Sequence, residues 1–232
     1  MNEKLQSDYK KSLDFWESNY ANYQDEQKSF DSNNWKEVAP SEKFITALSS
    51  FSKCKNVLDY GCGNGWGSVI MAKTGCKSIV SVELSNSAIK KVIENSQKYG
   101  VNNSIKAQLV SPDWINSESS EKYDGFFCSN VIDVVPEEIS NNILAQAHRI
   151  LKQNSKVIIG LNFYLNTESA LKNKIEAINN YIYRDGILRM VSRTDQEWSD
   201  IFSKYFTIEK IEHFSWPGES QETRRLFYLK NH

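Results

Sequence analysis

The run Val57-Leu58-Asp59-Tyr60-Gly61-Cys62-Gly63-Asn64-Gly65-Trp66-Gly67 constrains this chain more than any other stretch. An apolar strand ends in an acid, and alternating glycines follow at once. A glycine lacks the Cβ that forbids positive φ or keeps a ligand away from the backbone. A helix opening after such a turn points its free N–H groups at that ligand. The expected unit is a buried strand, a tight turn and a helix, with a nucleotide-like molecule at the carboxyl end of the strand. A dinucleotide fingerprint, G-x-G-x-x-G/A, fits poorly: counted from Gly61 its third small residue falls on Trp66, and counted from Gly63 on Ser68. A phosphate-cradling P-loop fits worse, because no Gly-Lys-Ser/Thr follows.

With Val57, Leu58, Asp59, Gly61, Gly63 and Gly65 in place, the run resembles motif I of the class I S-adenosylmethionine-dependent methyltransferases. Later segments extend the likeness. Ser78 to Glu83 reads as a second short buried strand ending in an acid, about twenty residues past the glycines, where a doubly wound fold holds a ribose. Ser104 to Val110 reads as a third strand. Tyr123 to Pro136 resembles the family's fourth strand and exit loop, and Pro136 with Glu137 and Glu138 suits a first helical turn. A helix from about Glu138 to Leu151 leads to a fifth strand, Lys156 to Leu161. Thr194-Asp195-Gln196-Glu197 is a capping box opening a helix toward Tyr205. Two last strands, near Phe206 to Phe214 and Arg224 to Leu229, complete the count.

The resemblance implies an α/β, Rossmann-like three-layer sandwich. Its seven-stranded, mostly parallel sheet would end in a C-terminal antiparallel hairpin, under an N-terminal helical lid. One domain over 1–232 is expected: a lid (1–43), a cofactor-binding core (44–161), a substrate-side insertion (162–193) and a C-terminal helix and hairpin (194–232). The implied cofactor is S-adenosyl-L-methionine, leaving S-adenosyl-L-homocysteine. Carried over by position, the cofactor-binding residues are Asp59, Gly61, Cys62, Gly63, Glu83, Leu84 and Asn130. Asp113 and Trp114 resemble the pair that bonds and stacks the adenine, with Ser111 the alternative for the polar role. The Asn/Asp-Pro-Pro-Tyr/Phe motif of enzymes that methylate base or glutamine amino groups is absent, since Asn130-Val131-Ile132-Asp133 stands there. A histidine pair common in small-molecule members is absent at Asp133 and Val134. Asp133 sits where the methyl should emerge and is the candidate general base.

The acceptor should be chosen by the parts outside the motif. Tyr9, Leu13, Trp16, Tyr20 and Tyr23 recur at spacings of four and three, one face of a helix. Trp16, Tyr20 and Tyr23 are candidate acceptor contacts, and Trp35 and Lys36 open a next helix toward the site. In the insertion, Thr167 to Tyr183 reads as helical. Phe163, Tyr164, Tyr181, Tyr183 and Met190 are candidate pocket walls, with Tyr164 the chosen contact. Arg184, Arg189 and Arg193 either form a solvated face or meet an anionic acceptor.

Composition narrows the partners. The formal charge of −1, from 28 Lys and Arg against 29 Asp and Glu, leaves no basic footprint for nucleic acid. No apolar run approaches the ~20 residues that span a bilayer, and the first residues lack a signal peptide's apolar core. The cysteines Cys54, Cys62, Cys76 and Cys128 lack zinc spacing, so no metal is expected. The reading is a cytoplasmic enzyme, monomer or homodimer, methylating N or O of a small molecule. A peptide or protein amino group, or cofactor binding without catalysis, are the alternatives; a nicotinamide-dependent enzyme is disfavoured by Trp66.

Overall fold

A computed structural model describes residues 2–22 and 32–232. Tyr23 lies outside the described residues. The chain begins with helix α1 (Glu3–Asn22). A 3-10 turn, Ser32–Val38, holds Trp35 against the core instead of opening a helix toward the site. Helix α2 (Glu42–Ser49) starts where the Ser41 hydroxyl accepts from the Lys43 amide. Then come β1 (Val57–Tyr60), the glycine turn and α3 (Trp66–Lys73), followed by β2 (Ile79–Glu83) and α4 (Asn86–Lys98). Next are β3 (Ile105–Leu109), the short α5 (Trp114–Ser117), β4 (Tyr123–Ser129), α6 (Glu137–Ile150) and β5 (Leu151–Leu161).

The segment expected to be helical from Thr167 to Tyr183 is not. Only α7 (Thr167–Lys172) forms, and three short strands follow: β6 (Glu176–Ile178), β7 (Tyr181–Arg184) and β8 (Ile187–Val191). They pair antiparallel in a small separate sheet. The cause is turn chemistry. Asn179 sits at φ 55°, and Asp185-Gly186 at φ 55° and 69° makes the two-residue hairpin turn that this dipeptide favours. A register irregularity between Ile182 and Tyr183 buries both neighbours.

The chain closes with α8 (Asp195–Phe202), opened by the Thr194–Glu197 capping box, and with β9 (Phe206–Phe214) and β10 (Arg224–Asn231). The main sheet has the order β3-β2-β1-β4-β5-β10-β9. Its first five strands are parallel, and β10 runs antiparallel to β5 and β9. Parallel strands covered on both faces need apolar residues facing both ways. Accordingly Val57, Phe127 and Ile158 join the core under α2 and α3, while Leu58, Phe126 and Ile159 join the core under α6 and α8. This is the Rossmann-like α/β sandwich, enlarged by the small sheet. The strand order reverses between β1 and β4, and the register Tyr60↔Val82 and Tyr60↔Cys128 brings the ends of β1, β2 and β4 side by side. That switch point is where such sheets bind ligands.

Candidate active site

The glycine turn is built by the backbone. Gly61 and Cys62 donate N–H bonds of 2.9 and 3.1 Å to the Val82 carbonyl. Gly61 and Gly63 have φ of 65° and 54°. A Cβ at Gly61 would run into the Val131 side chain, and one at Gly63 would lie 2.5 Å from the Tyr20 hydroxyl. Glu83 closes the turn from below. Its Oε2 accepts from Gly63 N at 3.0 Å, and its Oε1 from Leu84 N at 2.7 Å and Ser85 N at 3.4 Å. Burial pushes the Glu83 carboxyl up, against the pull of those amides.

Asp59 faces the other way. It is 2% exposed, accepts from the Ser68 hydroxyl, and Ser68 meets the Ser81 hydroxyl at 2.7 Å. It therefore ties α3 to β1 and β2. Burial pushes its carboxyl up to about 7, more than the Ser68 bond lowers it.

A cavity of about 1110 Å³ opens above the turn. Gly61, Cys62, Gly63, Glu83, Leu84 and Asn130 line one end, so the strand-end residues expected to contact the cofactor converge, Asp59 excepted. Asn130 takes φ 56° and donates its N–H to the Gly160 carbonyl at 2.9 Å, which turns the chain out of β4. Trp16 and Tyr20 line the α1 wall beside Tyr9 and Leu13. Burial raises the phenols of Tyr9, Tyr20 and Tyr60, and the negative charge of Glu83 adds to it, so all three stay neutral donors. The Cys62 thiol is raised by burial too, and further by Asp59 and Glu83.

Three of the chosen site residues are placed elsewhere. Asp113 and Trp114 are not in the lining. The chain turns after β3 through Trp114 N to the Ser111 carbonyl, leaving Asp113 exposed on the Ser111 hydroxyl and Trp114 against the core; Val110 lines the cavity instead. Tyr164 is 46% exposed and points away, while its neighbour Phe163 lines the wall. Tyr181 and Arg193 also miss it: Tyr181 accepts from Glu137 N, and Arg193 pairs with Glu137 at 2.8 Å.

Asp133, the expected base, is corrected as well. It is 1% exposed and absent from the lining. Its Oδ2 accepts from Asn162 N at 2.6 Å and Asn162 Nδ2 at 3.0 Å, and its carbonyl from Val191 N at 2.7 Å. A carboxylate sealed behind the wall cannot take a proton from an acceptor. It fixes Asn162, whose Oδ1 accepts from Arg224 Nη1 at 2.6 Å. Burial raises this carboxyl also.

Tyr60, Ser129, Asn162, Trp216 and Arg224 also line the cavity, beyond the residues expected from the sequence. The strand-end position of Tyr60 and Ser129 was a usable signal. Trp216 and Arg224 arrive from the last hairpin, which no local pattern connects to the site.

A family model described as a methyltransferase domain matches residues 51–221. The chain is 25% identical over 166 residues to the ribosomal protein L11 methyltransferase of Alkaliphilus oremlandii (strain OhILAs), covering 70% of this chain and 45% of that protein. It spans less than half the length of the curated relatives it matches. The fold is similar to that of the N-methyltransferase NodS from Bradyrhizobium japonicum WM9, solved with S-adenosyl-L-homocysteine: the TM-score is 0.61 at 13% identity, over 99% of each chain. The PH0226 protein from Pyrococcus horikoshii OT3 gives 0.63 at 17% identity, over 82% of this chain and 91% of that one.

Proposed function

We propose a function from one premise: the chain belongs to the class I S-adenosylmethionine-dependent methyltransferase family, whose domain model covers residues 51–221. Our reading is methyl transfer to a nitrogen or oxygen of a small molecule. One observation carries it. A single cavity runs from the glycine turn and Glu83 to a wall made by α1 and the small sheet, with volume for two ligands.

The residues present fit S-adenosylmethionine. Gly61 and Gly63 take the positive φ that the turn needs, and a Cβ there would meet Val131 and Tyr20 at the cavity wall. Glu83 spends its two oxygens on three amides, and a carboxylate has about four acceptor sites, so capacity remains for a sugar hydroxyl. Gly61, Cys62, Gly63, Glu83, Leu84 and Asn130 would hold it. When bound, it supplies a methyl group activated by a sulfonium leaving group. The chain's own work is then alignment and exclusion of water, and alignment alone can contribute ~7–11 kcal/mol. Among the described residues no histidine lines the cavity, and the phenols are too basic in their anionic form to be ionised near neutrality. An acceptor that already presents a lone pair suits this site. Four free thiols are what a reducing compartment maintains, which supports a cytoplasmic location.

The ribosomal protein L11 methyltransferases among the chain's relatives favour a second reading, a protein acceptor. The cover that α1 and the small sheet lay over the cavity supports the small molecule.

Thermal shift with S-adenosylhomocysteine and with NAD tests the cofactor. At about a hundred times its dissociation constant the ligand adds ~2.7 kcal/mol, or roughly 5–10 °C in a chain of this size. Glu83→Ala should weaken S-adenosylhomocysteine by about 1–3 kcal/mol. A shift with NAD alone would overturn the reading. Release of S-adenosylhomocysteine with a small-molecule panel against ribosomal protein L11 separates the two acceptors.

A further inference from the structure

The charged side chains at the far end of the cavity are mostly cationic. Its charged lining there comprises Lys174, Arg184, Arg189 and Arg224 against Glu176 and Asp185. Most of these charges are answered or lie on the rim. Arg224 is bound by Glu219 at 2.7 Å and by Asn162. Arg184 is exposed, with Asp185 at 3.9 Å.

Arg189 differs. It projects from β8 to the lid helix, its guanidinium carbon 3.9 Å from the Phe15 ring centroid and 5.6 Å from that of Trp16. Among the described residues no carboxylate lies within ion-pair distance of it. A half-buried cation gives up water, and aromatic faces return only part of that loss. Arg184 adds a like charge nearby and Asp185 an opposite one; burial first, then Arg184, lowers the Arg189 pKa against the pull of Asp185. Yet the stacked guanidinium keeps its N–H groups in one plane, the arrangement that binds two oxygens of one anion.

We propose that the methyl acceptor carries an anionic group, a carboxylate or a phosphoryl, and that Arg189, assisted by Arg184, binds it with the nucleophile directed toward the glycine turn. The proposal rests on the methyl-transfer reading above. It makes Arg189 a specificity-determining residue for a small acid.

The test uses the full chain saturated with S-adenosylhomocysteine, titrated in a calorimeter with benzoate, phenyl phosphate and benzamide. At least one of the two anions should bind about tenfold or more tighter than benzamide, and should weaken as salt rises. The tighter of the two distinguishes carboxylate from phosphoryl. Arg189→Gln should abolish the preference, Arg189→Lys should keep part of it, and Arg184→Gln should lose less than Arg189→Gln. S-adenosylhomocysteine affinity should be the same in all. If Arg189→Gln fails to fold, Arg189→Lys and Arg184→Gln carry the test. Equal binding of benzamide and the acids, or an intact preference in Arg189→Gln, would overturn the proposal. Failure of S-adenosylhomocysteine to bind the unmutated chain would instead sink the methyl-transfer reading beneath it.

Discussion

The two ends of the cavity are made differently. The end proposed for the cofactor is mostly backbone: amides of Gly63, Leu84 and Ser85 on one carboxylate, and glycines at positive φ. Its parts come from the ends of adjacent strands, held in register by the sheet. The acceptor end is side chains from α1, β7, β8 and the last hairpin, up to about two hundred positions apart. At the first end an added side chain on the turn meets Val131 or Tyr20. The second can change residue by residue without disturbing the sheet. A fold of this kind keeps its reagent and trades its clients by dividing the work in this way.

The sharpest way to break that division is Gly63→Val. Positive φ and a branched side chain 2.5 Å from the Tyr20 hydroxyl should reduce S-adenosylhomocysteine affinity about a hundredfold or more. Near-normal affinity by calorimetry would show that the turn is not the seat.

The next effect is electrostatic and arises behind the glycine turn. Asp59 has its folded pKa raised to about 7 by burial, above its ordinary 3.8. A raised carboxyl contributes stability that is full below about 4 and is lost as pH climbs through about 7. Relative to Asp59→Asn, the unmutated chain should therefore lose a few kcal/mol of stability over that window. Parallel urea curves for the two proteins across it would deny the burial argument.

A smaller effect is expected at the seam between the ends. Asp133→Ala strands the Asn162 donors and should cost about 1–3 kcal/mol, read as a lower melting temperature, with S-adenosylhomocysteine affinity kept. A stably folded Asp133→Asn protein that binds ligand but has lost all turnover would restore this residue as a base.

The same division explains what could be read from the sequence. The glycine turn, Glu83 and the parallel strands are local patterns, and each is legible within about ten residues. The face of Tyr9, Leu13, Trp16 and Tyr20 was legible as well, because a helix repeats its exposure. Four misplacements have one cause. Asp133, Asp113, Trp114 and Tyr164 are expected in the site from where they stand along the chain, but a loop side chain points where its turns send it. The small sheet is announced by Asp185-Gly186, a two-residue hairpin turn that outweighs the helical pattern of the residues before it. Arg224 and Trp216 could not be assigned to the site without the sheet that returns them to it.

Helix α1 is fastened to its surroundings by polar contacts. Asp8 accepts from the Tyr183 phenol at 3.0 Å, Ser12 donates to the Leu188 carbonyl at 2.6 Å, and the Ser87 hydroxyl donates to Glu17 at 2.7 Å. The neutral one is worth about 0.5–1.5 kcal/mol net and those to a carboxylate about 1.5–3 kcal/mol. Its greasy side, Leu13, Trp16 and Tyr20, is turned inward to the cavity. Such a door gains its hydrophobic closure from its guests, since it is they who cover that face. It should latch behind a filled chamber and loosen behind an emptied one.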